Sequence, residues 1–331
     1  MKVMLLFPPN WTPTMPHLAL PTLTAYLRGH GVDVVQRDLN LEVFDEILTR
    51  AYMKRAIDQL RQTYGPQANR RPQRHPAPKP DVIEWALRNG PQLAAQVEQA
   101  KRVIRSDAFF DGPIGLRAFR VLADCLEIAS LPFYPANLHW QSYEAATPVD
   151  NSRALLQAVR DPQHNIFLDI YRRGILADIM REAPDVVGIS IPSMPQMLAG
   201  MTLGYLIKEA GLACHVTVGG PHITMLREQL AQTPAIFSLF DSAVVFDGEV
   251  ALLRLVETLS NQGDLMQVPN LIYKAGDRIR VTARKEPEKI SDLPLPDFDG
   301  LPLDRYLAPK LALPLLTARG CYFGKCAFCN V

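Results

Sequence analysis

No run in this chain of 331 residues approaches the ~18 apolar residues of a membrane-spanning helix, so nothing in it reads as a membrane span. Charge of one sign is missing too. Lysine and arginine number 35 against 34 acidic residues, a formal net charge of +1, which leaves no global electrostatic footprint for nucleic acid. The N-terminus MKVMLLFPPN has one lysine and a short apolar run ending at two prolines, with no small-residue cleavage site. It is too short for a signal peptide and reads as a buried strand. Cysteine is scarce, five residues in all, with three of them clustered. That usage points to reduced thiols in a cytosol rather than to a disulfide framework. There is no internal repeat. What remains is a soluble globular chain, 48% hydrophobic and long enough for about two domains.

Met1 to Phe7 is a strand candidate stopped by Pro8, Pro9 and Asn10. LALPTLTAYLRGHG follows at helical spacing and closes on Gly31, and VDVVQRDLN is a second strand, giving a parallel β-loop-α-β unit. From about Leu41 to Ile166 only helical patterns of comparable quality occur, which marks a helical insertion. Its middle, GPQANRRPQRHPAPKP, carries Arg70, Arg71, Arg74, His75 and Lys79 among prolines and reads as a solvated loop. The α/β rhythm then returns. DVVGISI, HVTVGG and SAVVFDG are strands, and IFLDIYRRGILADIMREAP, QMLAGMTLGYLIKEAG, PHITMLREQL and EVALLRLVETLS are helices.

These parts describe a doubly wound, five-stranded parallel α/β sheet of flavodoxin-like type. If the strand order is 2-1-3-4-5, a ligand belongs at the carboxyl ends of strands one and three and their neighbours. NLIYKAGDRIRVTARKE reads as a β-hairpin, and SDLPLPDFDGLPLDRYL as a stiff, extended, Pro-rich connector. The expected divisions are 1–40 with 166–262 for the α/β domain, 41–165 for the insertion, 263–310 for hairpin and connector, and 311–331 for a last segment.

That last segment ends TARGCYFGKCAFCNV, with Cys321, Cys326 and Cys329 in the spacing C-x4-C-x2-C. Three thiolates within nine residues can wrap one soft centre, zinc or iron-sulfur. A closed zinc site needs a fourth Cys or His, and only Asn330 and Val331 follow. A two-iron cluster needs a distant fourth cysteine, for which Cys125 and Cys214 are the candidates, although both read more simply as small buried hydrophobes. The remaining choice is a four-iron cluster held by three cysteines, with one iron open.

This arrangement resembles the radical S-adenosylmethionine enzymes, whose loop follows the first barrel strand and reads C-x3-C-x-aromatic-C. LALPLLTARG looks like that strand and turn, Phe328 falls on the aromatic position, and one extra residue separates Cys321 from Cys326. Arg319 and Lys325 flank the loop as possible partners of a negatively charged cluster or as solvated charges. With MKVMLLFPPN, DVVGISIPSM, VTVGGPH, VVFDGE and LPLPDFDGLPLDRY in that order, the chain is similar to the cobalamin-binding radical S-adenosylmethionine family over Met1 to Leu39 and about Ile166 to Val331.

The resemblance implies cobalamin across the strand ends, a four-iron four-sulfur cluster and S-adenosylmethionine. It implies Pro9 and Asn10 under the ring edge, and Ser190, Pro192, Ser193 and Met194 against ring or tail. Gly219 and Gly220 would allow close backbone approach, and Pro221, His222, Gly248 and Glu249 would finish the rim. D-x-H-x-x-G, which supplies a histidine to cobalt, is absent, and neither His17 nor His222 has an aspartate two residues before it. Cobalamin without a protein histidine ligand is therefore expected.

The implied function is methyl transfer to an unactivated carbon of a small-molecule or peptide substrate, with an electron donor such as flavodoxin or ferredoxin. A radical barrel needs on the order of 200 further residues, so the chain reads as the N-terminal part of a larger enzyme and inactive alone. A corrinoid-binding or sensory module and a two-iron electron carrier are the other readings.

Overall fold

The computed structural model describes residues 1–64, 77–320 and 323–327. The expectations for Arg70, Arg71, Arg74, His75, Cys321, Phe328 and Cys329 lie outside the described residues.

The apolar start forms β1 (Lys2–Phe7). It is followed by α1 (Ala19–Gly29), which buries Leu20, Thr24 and Leu27 on one face. Gly31, at φ +77°, ends that helix, and Val32 N–H reaches back to Leu27 O at 3.1 Å, as a left-handed C-terminal residue allows. Strand β2 (Asp33–Asp38) then pairs in parallel with β1, Lys2 opposite Asp33 through Phe7 opposite Asp38.

The insertion runs through α2 (Leu39–Ile47), α3 (Arg50–Tyr64), α4 (Pro80–Ile104) and α5 (Gly112–Ser130). A two-strand hairpin, β3 (Asn137–Leu138) and β4 (Tyr143–Glu144), follows, and then α6 (Ser152–Ala158). The sequence pattern missed this hairpin, because two-residue strands are too short to show alternation. One helical path continues from α7 (Ile166–Ile170) through a π-helical turn to α8 (Leu176–Glu182).

The remaining parallel strands are β5 (Val186–Ser190), β6 (His215–Gly219) and β7 (Ser242–Val244). They alternate with α9 (Met197–Glu209), the short α10 (Pro221–Met225) and α11 (Arg227–Leu230), and α12 (Glu249–Ser260). The single helix expected over PHITMLREQL is thus two short ones. Strands β8 (Leu271–Ala275) and β9 (Arg278–Val281) complete the described elements of the sheet.

Sheet order is β2-β1-β5-β6-β7-β8-β9, so seven strands stand where five were expected. The first five are parallel, and the hairpin joins antiparallel to β7, with Val244 opposite Leu271. Joining the sheet covers Leu271 on one face and Ile272 on the other, which a free hairpin would leave in water.

Side chains alternate between two cores as the pleat requires. Val3, Leu5 and Phe7 pack with Leu20 and Leu27 of α1 and with Leu252 and Leu255 of α12. Met4 and Leu6 face the other way, into one continuous core with the insertion helices, including Phe44, Leu60, Val97, Leu122 and Phe167.

The Pro-rich connector, expected to be an extended spacer, is bound to the β2 edge. Asp297 N–H donates to Pro21 O at 3.0 Å, Arg28 Nη1 lies 2.7 Å from Asp297 Oδ2, and Gln36 Nε2 donates to Asp297 O and Asp299 O at 2.8 and 3.0 Å. Leu307 N–H donates to Pro13 O at 2.8 Å, and Tyr306 OH donates to Asp38 Oδ2 at 2.7 Å.

Asp38 also caps α2, accepting from Leu41 N–H at 3.0 Å. Burial pushes its carboxyl up to about 6, against the pull of the Tyr306 and Leu41 donors. A carboxyl that binds its proton more tightly when folded subtracts stability as pH rises from about 4 through about 6, because only the unfolded state ionises freely there. Buried His17 is held down to about 4 by desolvation and acts with the opposite sign between about 4 and 6.5, so the wild-type slope partly cancels. The Asp38→Asn variant isolates the carboxyl. Urea titrations at pH 4 and pH 7 are expected to show its stability relative to wild type rising by on the order of 2–3 kcal/mol across that window.

Candidate functional site

The carboxyl ends of β1, β5, β6 and β7 lie side by side along one edge of the sheet, and the sequence-predicted residues on them come together there. Ser190, the last residue of β5, is opposite Gly219, and Gly219 is opposite Val244 at the end of β7. Ile191 N–H donates to Gly219 O at 2.7 Å and carries the pairing one residue past the strand. Gly220 sits at φ +108°, and an added Cβ would lie 2.8 Å from Ile191 O. The β5 and β6 ends therefore touch through backbone, with no side chain between them.

Pro9 and Asn10 are buried directly after β1. Asn10 Nδ2 donates to His139 O, in the insertion's hairpin, at 3.1 Å. Asn10 Oδ1 is buried without a hydrogen-bond partner among the described residues, and a buried orphan acceptor asks for a donor. Pro192 and Ser193 are half-buried, Met194 is exposed, Pro221 is exposed, and His222 is half-buried with its imidazole pushed toward the neutral form by desolvation. Gly248 and Glu249 follow the β7 end and start α12.

Several residues that build this edge escaped the sequence reading. Gln196 is fully buried, donates from Nε2 to Pro8 O at 2.7 Å, and accepts from Ser193 Oγ at 2.9 Å, tying the β1 loop to the β5 loop. Thr224 Oγ1 donates to Gly220 O at 3.2 Å and accepts from Phe246 N–H at 2.8 Å, tying the β6 end to the β7 end. Asn40 Oδ1 accepts from Trp11 N–H at 2.9 Å. A lone polar residue inside an apolar stretch, such as Gln196 before MLAGM, was the available signal. His17 stacks on Phe7 at 4.6 Å, and its Nδ1 faces Ala19 N–H at 3.3 Å, a role that needs no metal.

Two concavities lie off this edge. One of about 550 Å³ lies between α6 and Ala235, lined by Ser152, Arg153, Leu156, Gln157 and Arg160. The other, about 140 Å³ and bounded by Asp124, Glu127, His139 and Trp140, is smaller than the ~300–1,000 Å³ of ordinary ligand pockets. The strand-end edge is an open surface rather than a cavity.

The tail returns to this edge. Leu307 is held at Pro13 beside the β1 loop, Lys310 Nζ lies 5.7 Å from the Phe110 ring, and Arg319 reaches the β7 end. Its guanidinium pairs with Glu249 and lies 3.2 Å from Asp247 Oδ1. Glu249, expected on the cofactor rim, therefore has its carboxylate taken by Arg319. Lys325 is exposed. LALPLLTARG does not form the expected strand: Leu311 to Gly320 has no strand partner among the described residues, and a strand exists only through pairing. Leu311, Leu313, Leu315 and Leu316 are exposed.

Cys326 is half-buried and free of disulfides. Among the described residues no group of three His, Cys, Asp or Glu is arranged for a metal, and Cys321 and Cys329 lie outside them. The candidates for a fourth cluster ligand are placed elsewhere. Cys125 is fully buried in the insertion core, its thiol pushed up to about 12 by desolvation. Cys214 precedes β6, so the strand's five residues, about 16 Å, separate it from the edge that Arg319 meets. Both placements disfavour a two-iron centre with these thiols.

The class that this architecture defines is a mixed α/β fold with a mostly parallel sheet and a helical region, a fold shared with the cobalamin-dependent S-adenosylmethionine radical enzyme OxsB. The structure of OxsB with aqua-cobalamin and S-adenosylmethionine bound matches 99% of this chain and 28% of its own at a TM-score of 0.51 and 15% identity. The radical S-adenosylmethionine methyltransferase TsrM of Kitasatospora setae matches 85% of this chain and 30% of its own at a TM-score of 0.40 and 13% identity. In sequence, an uncharacterized methyltransferase of Pyrococcus horikoshii is 31% identical over 150 residues, 44% of this chain and 31% of that protein. No protein-family model matches. The chain thus spans about three-tenths of the length of the proteins it resembles. No described helix is long and apolar enough to cross a membrane.

Proposed function

We propose that the strand-end edge binds cobalamin, that Cys321, Cys326 and Cys329 hold a four-iron four-sulfur cluster that takes S-adenosylmethionine, and that the enzyme containing this chain transfers a methyl group to an unactivated carbon. The observation that carries the reading is the convergence of two parts. The orphan Asn10 Oδ1 and the strand ends closed by Gly219 and Gly220 lie on the same edge to which Arg319 returns the cysteine-bearing tail.

The fit to a corrin is chemical. A broad ring edged with amide groups needs a surface without projecting side chains and acceptors for its N–H groups. Gly219 and Gly220, packed on the backbone of Val244 and Ile191, hold the strand ends together beneath such a surface, and Asn10 Oδ1, Ser190 and Ser193 supply the acceptors. Pro9, Pro192 and Met194 offer apolar contact, and Pro221, His222 and Gly248 the rim. Nδ1 of His17 is turned to Ala19 N–H, in keeping with a cobalamin that takes no histidine from this residue. Phe328 would flank the cluster. Cluster and S-adenosylmethionine supply a radical and cobalamin the methyl group, while the chain places them and excludes water. The description of the Pyrococcus relative as a methyltransferase and the ligands of OxsB agree with this assignment. An electron donor such as flavodoxin or ferredoxin and a cytoplasmic setting belong to the same proposal.

The test is anaerobic reconstitution with iron, sulfide and hydroxocobalamin, followed by absorption spectra and metal analysis. Wild type is expected to retain stoichiometric cobalamin and cluster iron. The combined Cys321→Ala, Cys326→Ala and Cys329→Ala variant is expected to keep the cobalamin and lose the iron. Wild type that retains no cobalamin sinks the proposal.

A further inference from the structure

We propose that Arg319 is a positioning residue, a latch to Glu249 and Asp247 that fixes the cysteine-bearing tail over the carboxyl ends of the parallel strands. The inference rests on the reading of that edge as the cofactor face and of the cysteines as cluster ligands, and it concerns how the two are brought into register.

Residues 307 to 319 begin beside the β1 loop, pass Phe110 of the insertion at Lys310, and finish at the β7 end, so both ends of the tail meet the edge that carries Pro9 and Gly248. Between those ends the described residues offer little to hold it. After Leu307 N–H to Pro13 O, the backbone makes one further hydrogen bond, Ala308 N–H to Tyr306 O, and the leucines that follow are exposed. The far end is held by Arg319, two residues ahead of Cys321 in sequence. Its guanidinium, 19% exposed, donates to both carboxylate oxygens of Glu249 and to Asp247 Oδ1.

Glu249 is 4% exposed and joins the tail across a sequence separation of 70 residues, whereas most other pairs of the chain are local or half-exposed. Among the described residues Arg319 is the one cation paired with Glu249, and a buried carboxylate stripped of its cation is strongly unfavourable, so the pair resists opening. The planar fork of arginine can serve Glu249 and Asp247 together, and the point charge of lysine cannot reproduce that geometry. Glu249 directly follows Gly248 at the start of α12, so the latch is built into the same edge as Gly219 and Gly220.

The experiment has two arms on the full chain. In the unloaded protein, thermolysin, which cuts before leucine and is blind to arginine, probes the stretch Leu311 to Leu316. Arg319→Gln and Glu249→Gln are each expected to be cut there about tenfold faster than wild type, with Arg319→Lys intermediate. Asp247→Asn serves as a milder second break of the same site. Equal cutting rates in all of them overturn the latch.

In the reconstituted protein, Arg319→Gln is expected to retain wild-type cobalamin and iron while losing the wild-type magnetic interaction between cob(II)alamin and the reduced cluster in electron paramagnetic resonance. An unchanged interaction overturns the positioning role. If wild type binds no cobalamin, the proposed function fails, and the thermolysin comparison still decides whether Arg319 holds the tail.

Discussion

Substituting alanine for Gly220 is expected to destabilise the folded chain by about 3–5 kcal/mol and to reduce cobalamin retention with it. Two costs add. At φ +108° and ψ 170° the backbone occupies a region that is essentially glycine-only, and the new Cβ would meet Ile191 O at 2.8 Å and Ile191 C at 2.9 Å. Those atoms are backbone of the loop after β5, which Ile191 N–H to Gly219 O already ties down, so neither partner can yield cheaply. Relief would push the β5 and β6 ends apart at the proposed cofactor edge. Gly29→Ala is the control. It lies in α1 with open space around it, and helix propensity favours alanine there by up to ~1 kcal/mol. Denaturant midpoints that move equally for the two variants would refute the argument.

Asp45→Ala is expected to cost about 2–3 kcal/mol, less than the ~3–5 kcal/mol of a fully buried pair because one partner is half in water. Asp45 is 13% exposed and gathers three cations: Arg105 at 2.9 Å, Arg305 at 2.7 Å and Lys101 at 3.9 Å. They come from the connector and from α4 and its C-terminal cap, so this carboxylate pins three parts of the chain together. Arg105 further donates to the carbonyls of Arg305 and Tyr306. Removing Asp45 leaves like charges facing one another and frees the connector beside Tyr306. Exposed Arg61, paired with Asp58 three residues away, gives the contrast, and Arg61→Ala is expected to change stability by less than ~0.5 kcal/mol. Urea unfolding of both variants, repeated at high salt, separates the cases, since the Asp45 cluster is the less screened.

Strands with a plain apolar signal were legible. MKVMLLF, DVVGISI and HVTVG are strands because buried parallel strands need apolar residues on both faces. The parallel strands stand in the order β2-β1-β5-β6-β7, which is the 2-1-3-4-5 arrangement on which the ligand's placement was made conditional. The hairpin's place was not legible, because Leu271 and Ile272 alternate alike in a free hairpin and at a sheet edge. LALPLLTARG has a strand's composition without a strand's partner among the described residues. The glycines and Pro9-Asn10 of the candidate site were implied by the family resemblance, whereas Gln196 and Thr224 act through hydrogen bonds to Pro8 O and Phe246 N–H that no local pattern marks.

By itself the sequence determined local matters: which runs are apolar with period two or 3.6, where glycine and proline break them, and which thiols are spaced to share a metal. Those are properties of neighbouring residues. Only the tertiary structure decided that the connector folds back onto Asp38 and Asp45, that Cys125 and Cys214 lie away from the edge, and that Arg319 closes on Glu249. Each of these is a contact between segments distant in the chain, fixed by which surfaces must be buried and which charges must be paired. No local pattern encodes that.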